Sequence, residues 1–362
     1  MRTSTFRIIG RLWLLLALSP ACGCGLFQKR DLAASLNEHI ERPFASSELL
    51  TVHFATNRAG NGRECSNQSF AARGSNELRF GHCEINVPKA HGVGSLPEGD
   101  GPYADPNRFF KIGRYRASAQ TSFVSEIPTS GEVLLFVHGF NVPFEEAILR
   151  AAQIAFDAKF QGEVVLFTWP AGAEDVVGQV LLNATYLANR ESAQASQAVF
   201  RQFLEVLLAG DRRVHLVVHS MGHQVVLPVV AALAREGREA FLGEVILNAP
   251  DFGTSDFLSI APFLSKSARR VTLYCSPGDR ALLASQQVNG NHRIGLCARA
   301  PGIEVINANE IDDAIAGLGH GYYAGRAIIT EYFQILLGIE THRRLFIRLS
   351  DQGGGEDYIL RR

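Results

Sequence analysis

Six short, largely apolar runs mark the chain beyond residue 131: residues 133–137, 164–168, 214–218, 245–247, 271–274 and 303–306. None has a polar face, the pattern of a strand buried on both sides of a parallel sheet. Helical periodicity fills the gaps, over residues 145–159, 192–208, 222–235, 257–266 and 281–288, and residues 322–337 close the series. Strands alternating with helices in this way predict a doubly wound α/β sheet, mostly parallel and flanked by helices. Such sheets bind ligands beyond the carboxyl ends of their strands.

The pattern changes on either side of this core. Residues 49–131 read as β-rich, with strands at 50–56, 78–87 and 109–116 separated by Gly60-Asn61-Gly62 and by a Gly- and Pro-containing stretch over 92–106. This region is expected to extend the sheet. Asn57 and Arg58, at the end of its first strand, either line a site or simply cap the strand. Residues 25–48 form a polar linker with one short helical candidate at 31–40, residues 132–345 carry the α/β core, and 346–362 form a tail.

At the start of the chain, Arg2, Arg7 and Arg11 precede the apolar run 12–18 and then small residues. That run is too short to span a bilayer and fits the apolar region of a secretory signal over residues 1–24. Cys22 and Cys24 just after it resemble a bacterial lipoprotein signal, which implies export and a lipid anchor on a membrane surface. Four cysteines remain, and in an exported chain an even number implies disulfides. Proximity favours Cys65–Cys83 and Cys275–Cys297, and no cysteine spacing resembles a zinc site.

Composition narrows the functional classes. The chain has 362 residues, 46% of them hydrophobic, ample for a large core. Lys and Arg number 35 against 36 Asp and Glu, and no basic stripe interrupts the balance, which excludes nucleic acid as a partner. Oligomeric state leaves no mark on the sequence.

The candidate chemistry gathers at the strand ends. Val214-His215-Leu216-Val217-Val218 runs through His219-Ser220-Met221-Gly222-His223 into a helix. A serine at a sharp strand-to-helix turn has its hydroxyl exposed at the end of the sheet, and Gly222, two residues on, lets the helix pack closely. The first amides of that helix favour negative charge. Valine at 218 is larger than the usual small residue before such a serine. After the first core strand comes His138-Gly139-Phe140-Asn141, where glycine allows a turn that aims the next backbone N–H at the site. The amides of Phe140 and Met221 are then the expected oxyanion donors, and His138 a support for their loop. Two carboxylates follow later strands: Asp251 in Asn248-Ala249-Pro250-Asp251 and Asp279 in Ser276-Pro277-Gly278-Asp279. Asp279, after the later strand, is the expected partner of a histidine, and the unused one a helix cap. His320, in Gly317-Leu318-Gly319-His320-Gly321, follows the last core strand and is the expected base. His219 should point away from the serine, His223 sits on the helix after it, and His292 lies in a loop before the last strand.

Together with Phe167-Thr168-Trp169-Pro170 and Phe54-Ala55-Thr56-Asn57-Arg58, these motifs resemble the alpha/beta-hydrolase superfamily, within it a bacterial esterase/lipase-like branch of unknown function. The resemblance implies a serine hydrolase that cleaves a small-molecule ester or acyl substrate through Ser220, His320 and Asp279, with no metal or cofactor. An amidase or thioesterase on the same fold, or a non-catalytic envelope protein, is the alternative. Residues 169–190, with Trp169, Val176, Val177, Leu181, Leu182, Tyr186 and Leu187, suit a pocket wall or lid, or equally an amphipathic helix packed on the core.

Overall fold

A computed structural model of the chain describes residues 47–99, 104–172, 182–311, 320–351 and 354–361. The expected signal, Cys22, Cys24, the linker helix, residues 173–181 and Gly317-Leu318-Gly319 lie outside the described residues.

One 11-stranded sheet runs through the molecule. Its strands are β1 (Ser47–Arg58), β2 (Gly74–Pro88), β3 (Lys111–Ser118), β4 (Ser130–Val137), β5 (Glu163–Thr168), β6 (Asp211–His219), β7 (Leu242–Asn248), β8 (Ala268–Cys275), β9 (Glu304–Asn307), β10 (Ile347–Leu349) and β11 (Tyr358–Leu360). The order across the sheet is β10-β11-β9-β8-β7-β6-β4-β5-β1-β2-β3. Every pairing from β11 to β1 is parallel. The β-rich N-terminal region joins this sheet through β1, which pairs in parallel with β5 and antiparallel with β2. The last residues do not trail away as a tail: β10 and β11 pair antiparallel, and β11 adds to β9. Each is three residues long, too short to show a period.

The described helices are α1 (Gln120–Glu126), α2 (Phe144–Asp157), α3 (Leu182–Ala195), α4 (Gln197–Leu207), α5 (Gly222–Arg235), α6 (Thr254–Ser267), α7 (Arg280–Asn289) and α8 (Arg326–Leu336). The expected helix over 192–208 is thus two helices meeting at Ser196, whose hydroxyl donates to the Ser192 carbonyl and accepts from Asn57 Nδ2. Helices cover both faces of the sheet. Val133, Leu135 and Val137 pack with apolar residues of α4, α5 and α6. The alternating Leu134 and Phe136 pack with α2 and α8 on the other face. That is why each core strand reads as a largely apolar run. None of the described helices is long and apolar enough to cross a membrane.

Strand order sets the place of the site. The chain leaves β4 for β5 on one side, then returns to β6 on β4's other side. The β4–β6 boundary is therefore the switch point of the sheet, where crossovers diverge and leave a crevice. The register puts Val137 opposite Val218, so the segments starting at His138 and His219 leave the sheet side by side. Two disulfides, Cys65–Cys83 and Cys275–Cys297, join the pairs that proximity favoured. The second closes the segment that carries Asp279 and α7.

Candidate active site

Ser220 sits between β6 and α5 with φ of 51°, a left-handed conformation unusual for a residue with a side chain. Several contacts hold it there. The Ser220 amide donates to the Asn248 carbonyl at 2.9 Å, and its own carbonyl accepts from His223 Nδ1–H at 2.6 Å. Close packing does the rest. A methyl group on Gly222 would lie 2.5 Å from the His138 carbonyl oxygen, so a side chain there would push α5 off the end of β4. A methyl on Gly139 would lie 2.8 Å from Ser220 Cβ. Both glycines exist because two strand ends and a helix start converge on one point. Val218 does not obstruct the turn, because its side chain is buried in the same core cluster as Val137, Leu247 and Val225.

Around the serine the structure brings together three of the residues singled out from the sequence. His320 Nε2 lies 2.8 Å from Ser220 Oγ, and His320 Nδ1 lies 2.6 Å from Asp279 Oδ2. A carboxylate only accepts, so Nδ1 carries the proton and donates to Asp279. Nε2 is then the bare nitrogen and accepts the serine O–H. Asp279 is fully buried, and its other oxygen accepts from the Leu282 amide at 3.0 Å, capping α7. The carboxylate is thus fixed at both ends, one oxygen on a helix and one on the imidazole.

Asp251 is elsewhere engaged. Arg293 Nε lies 2.9 Å from its Oδ1, the Tyr186 hydroxyl donates to its Oδ2 at 2.9 Å, and Ser285 also bonds it. It is the buried anion of an ion pair and not a helix cap. Burial, with Asp251 second, raises the pKa of Tyr186 and keeps it a neutral donor. Tyr186 also packs 6.0 Å from the Phe140 ring, so this network braces one wall of the crevice. Trp169 is fully buried, stacks on His138 and donates to its carbonyl at 2.9 Å, so it props the loop.

The loop after β4 shows a residue whose role the sequence left open. Arg58 is 1% exposed, and burial lowers its pKa to about 9, which still leaves it charged at neutral pH. Its guanidinium donates to Thr168 Oγ1 and to the carbonyls of Ala71, Ala171 and Val142. Thr168 Oγ1 is 2.9 Å from His138 Nε2, and His138 Nδ1 is 3.1 Å from the Gly139 carbonyl. With Arg58 directed at Nε2, the imidazole proton lies on Nδ1 and is donated to Gly139. Holding that carbonyl orients the whole Gly139–Phe140 peptide, because it is planar, and so aims the Phe140 N–H. The next amide, of Asn141, donates to Asn189 Oδ1 at 3.2 Å, and Asn189 also ties down Gly172. Among the described residues no backbone acceptor takes the Phe140 or Met221 N–H. Its place at the end of the first strand was the only legible hint; its carbonyl partners come from three separate segments.

Three more imidazoles surround the serine. His219 does not contact the hydroxyl; its ring stacks on Tyr323 at 3.6 Å and lies 4.9 Å from the His320 ring. His292, bonded to Thr254, takes no part. Burial first holds His138 and His219 well below their usual pKa, with the Arg58 charge second for His138 and the neighbouring His320 second for His219, and burial takes His223 to about 3. All three stay uncharged at neutral pH and add no positive charge beside His320. In the unfolded chain each would titrate near 6.5, so the unfolded state binds more protons below that pH. Stability is therefore expected to be full above pH 6.5 and to fall as pH drops toward 3. His223 alone contributes a loss of roughly 2 kcal/mol between pH 7 and pH 5. Urea midpoints across that range check it, and a flat profile would contradict the neutral burial.

A cavity of about 1000 Å³ opens between α2 and α8, lined by Arg150, Arg326 and Phe333 among others. It includes none of Ser220, Asp279 and His320, so it is not the crevice described above.

Among solved structures, the chain is similar to phospholipase PlaB from Legionella pneumophila in complex with thio-NAD, at 15% identity and TM-score 0.25, over 53% of this chain and 40% of that one. It therefore spans less than half of the phospholipase. It is also similar to a hyperthermophilic esterase from the archaeon Pyrobaculum calidifontis, at 12% identity and TM-score 0.30, over 86% of this chain and 92% of that one. A monoclinic form of the Pyrobaculum calidifontis esterase gives 11% identity and TM-score 0.26, over 87% and 81%. These likenesses carry no argument about substrate. No curated protein matches the chain in sequence. A family model described as "Alpha/beta hydrolase of unknown function (DUF900)" matches residues 115–339, from β3 through α8 and across every residue of the crevice, and on that match the chain belongs to this alpha/beta-hydrolase family.

Proposed function

We propose that this protein hydrolyses carboxylic esters through an acyl-enzyme formed on Ser220. The observation that carries the reading is the continuous hydrogen-bonded run from Ser220 Oγ through His320 to Asp279, at 2.8 and 2.6 Å. Its tautomer is already the one the reaction needs. Ser220 Oγ attacks the acyl carbon as His320 Nε2 takes its proton. Asp279 stabilises the resulting imidazolium without taking a proton itself. The negative charge on the former carbonyl oxygen lies between the N–H groups of Phe140 and Met221, each such donor contributing about 3 kcal/mol. His320 then protonates the departing alcohol, the C–O bond breaks, and the same nitrogen activates a water that releases the acid. No step calls on a metal or an organic cofactor.

The test is covalent. A fluorophosphonate probe is expected to label one serine, identified as Ser220 by peptide mass, and a panel of esters of rising acyl length to give the preferred substrate. Matched ester and amide substrates separate an esterase from an amidase. Absence of the label, or ester turnover with the label elsewhere, would overturn the reading.

We further read the chain as exported and anchored by lipid at Cys22, as an envelope protein acting on small acyl substrates. The two disulfides support this, since such bonds persist in oxidising compartments. Fatty-acid labelling of the expressed chain that disappears in Cys22→Ser checks it; a soluble, unlabelled mature chain would contradict it.

A further inference from the structure

Away from the crevice, two histidines and a glutamate meet on the N-terminal side of the sheet. β1 and β2 pair so that His53 stands directly opposite His82. Opposed residues of an antiparallel pair project on one face. Glu126, the last residue of α1, reaches the same spot, where its Oε2 lies 3.3 Å from His82 Nδ1. One ligand atom from each of the three lies within 4.8 Å of the others. Among the described residues this is the one such cluster of metal-binding side chains.

His53 supplies the second observation. It is 5% exposed, and its Nδ1 is sealed from solvent without a hydrogen-bond partner. A buried nitrogen left bare in this way costs stability unless something takes its lone pair. Its other nitrogen, Nε2, faces Glu163 Oε2 at 3.5 Å. That carboxylate draws the ring proton to Nε2 and leaves Nδ1 as a free lone pair. The arrangement matches that of metal-ligating histidines, whose second nitrogen faces a carboxylate.

We infer that His53, His82 and Glu126 form a binding site for a divalent transition metal of the zinc class. Two imidazoles and one carboxylate suit zinc, with a fourth position left to water. Zinc bonds of about 2.0–2.2 Å set ligand–ligand edges of roughly 3.3–3.5 Å in a tetrahedron. The His82–Glu126 separation of 3.3 Å already meets that edge. The 4.8 Å limit on the third ligand atom means that the His53 ring closes by about 1.5 Å at most to complete it. Glu126 and His82 retain some exposure, 28% and 16% of their side chains, and give the ion its way in. Bound there, the metal would clip α1 to the β1–β2 pair. The site stands apart from Ser220 and does not depend on the ester reading.

The test is calorimetric titration of the chelator-treated full chain with Zn²⁺ alone. One equivalent is expected to bind, and the thermal midpoint to rise with it. His82→Asn and Glu126→Gln, both at partly exposed positions, are each expected to weaken binding about tenfold or more. Metal-free unfolding curves of the variants serve as the control for folding. Absence of one-equivalent binding, or binding unchanged in either folded variant, would overturn the inference.

Discussion

Ser220→Ala is expected to abolish fluorophosphonate labelling and to lower kcat for ester hydrolysis on the order of 10⁶-fold. The effect is large because the serine supplies the bond-forming atom, and because nothing else in the crevice can take its place. His219 is stacked on Tyr323, and His223 is tied to the elbow carbonyl. Any remaining turnover would come from the oxyanion donors and from binding alone. Stability should hold, since the hydroxyl's partner is the partly exposed His320 and an alanine leaves no buried group unpaired. A Ser220→Ala protein that still turns over esters at near wild-type rate, with an unchanged urea midpoint, would place the nucleophile elsewhere and end the proposal.

The second large effect belongs to Asp279→Asn. Asparagine is a good helix cap, so the bond from the Leu282 amide of α7 to the side-chain oxygen of residue 279 survives and the fold is little disturbed. The amide, however, can turn its NH₂ toward His320 Nδ1. That favours the tautomer with the proton on Nε2, where it cannot accept from Ser220. A fall in kcat on the order of 10⁴-fold is expected, with KM nearly unchanged. Asp251→Asn provides the contrast. It leaves the Arg293 guanidinium buried without its anion, which costs roughly 3–5 kcal/mol of stability. Turnover per labelled serine should nonetheless stay within the same decade as wild type. If instead Asp251→Asn stops turnover in folded protein while Asp279→Asn does not, the two carboxylates must exchange roles.

Much of this arrangement is legible without coordinates, for identifiable reasons. A strand buried on both faces must be largely apolar, so β4 to β8 announce themselves as short apolar runs. The elbow and the oxyanion turn are local: Ser220 with Gly222, and His138 with Gly139, lie within a few residues of each other. Other features carry no local signal. β10 and β11 are stable because β9 offers them an edge, not because three residues favour extension. Ser196, where the helix splits, accepts a hydrogen bond from Asn57, 139 residues away.

The sequence by itself determined the fold class, the serine at a strand-to-helix turn and a short set of candidate partners, because each rests on periodicity or on a turn made by adjacent residues. It favoured Asp279 over Asp251 only by chain order, since both follow a strand of the same sheet. Only the tertiary structure separates them: Asp251 faces Arg293 and Tyr186, whereas Asp279 faces His320. The same holds for Arg58, whose carbonyl partners lie up to 113 residues away, and for His53, His82 and Glu126, joined by strand register and a helix end. Proton-transfer geometry and ligand sets are properties of distances across the fold, and chain order does not encode them until the sheet has closed.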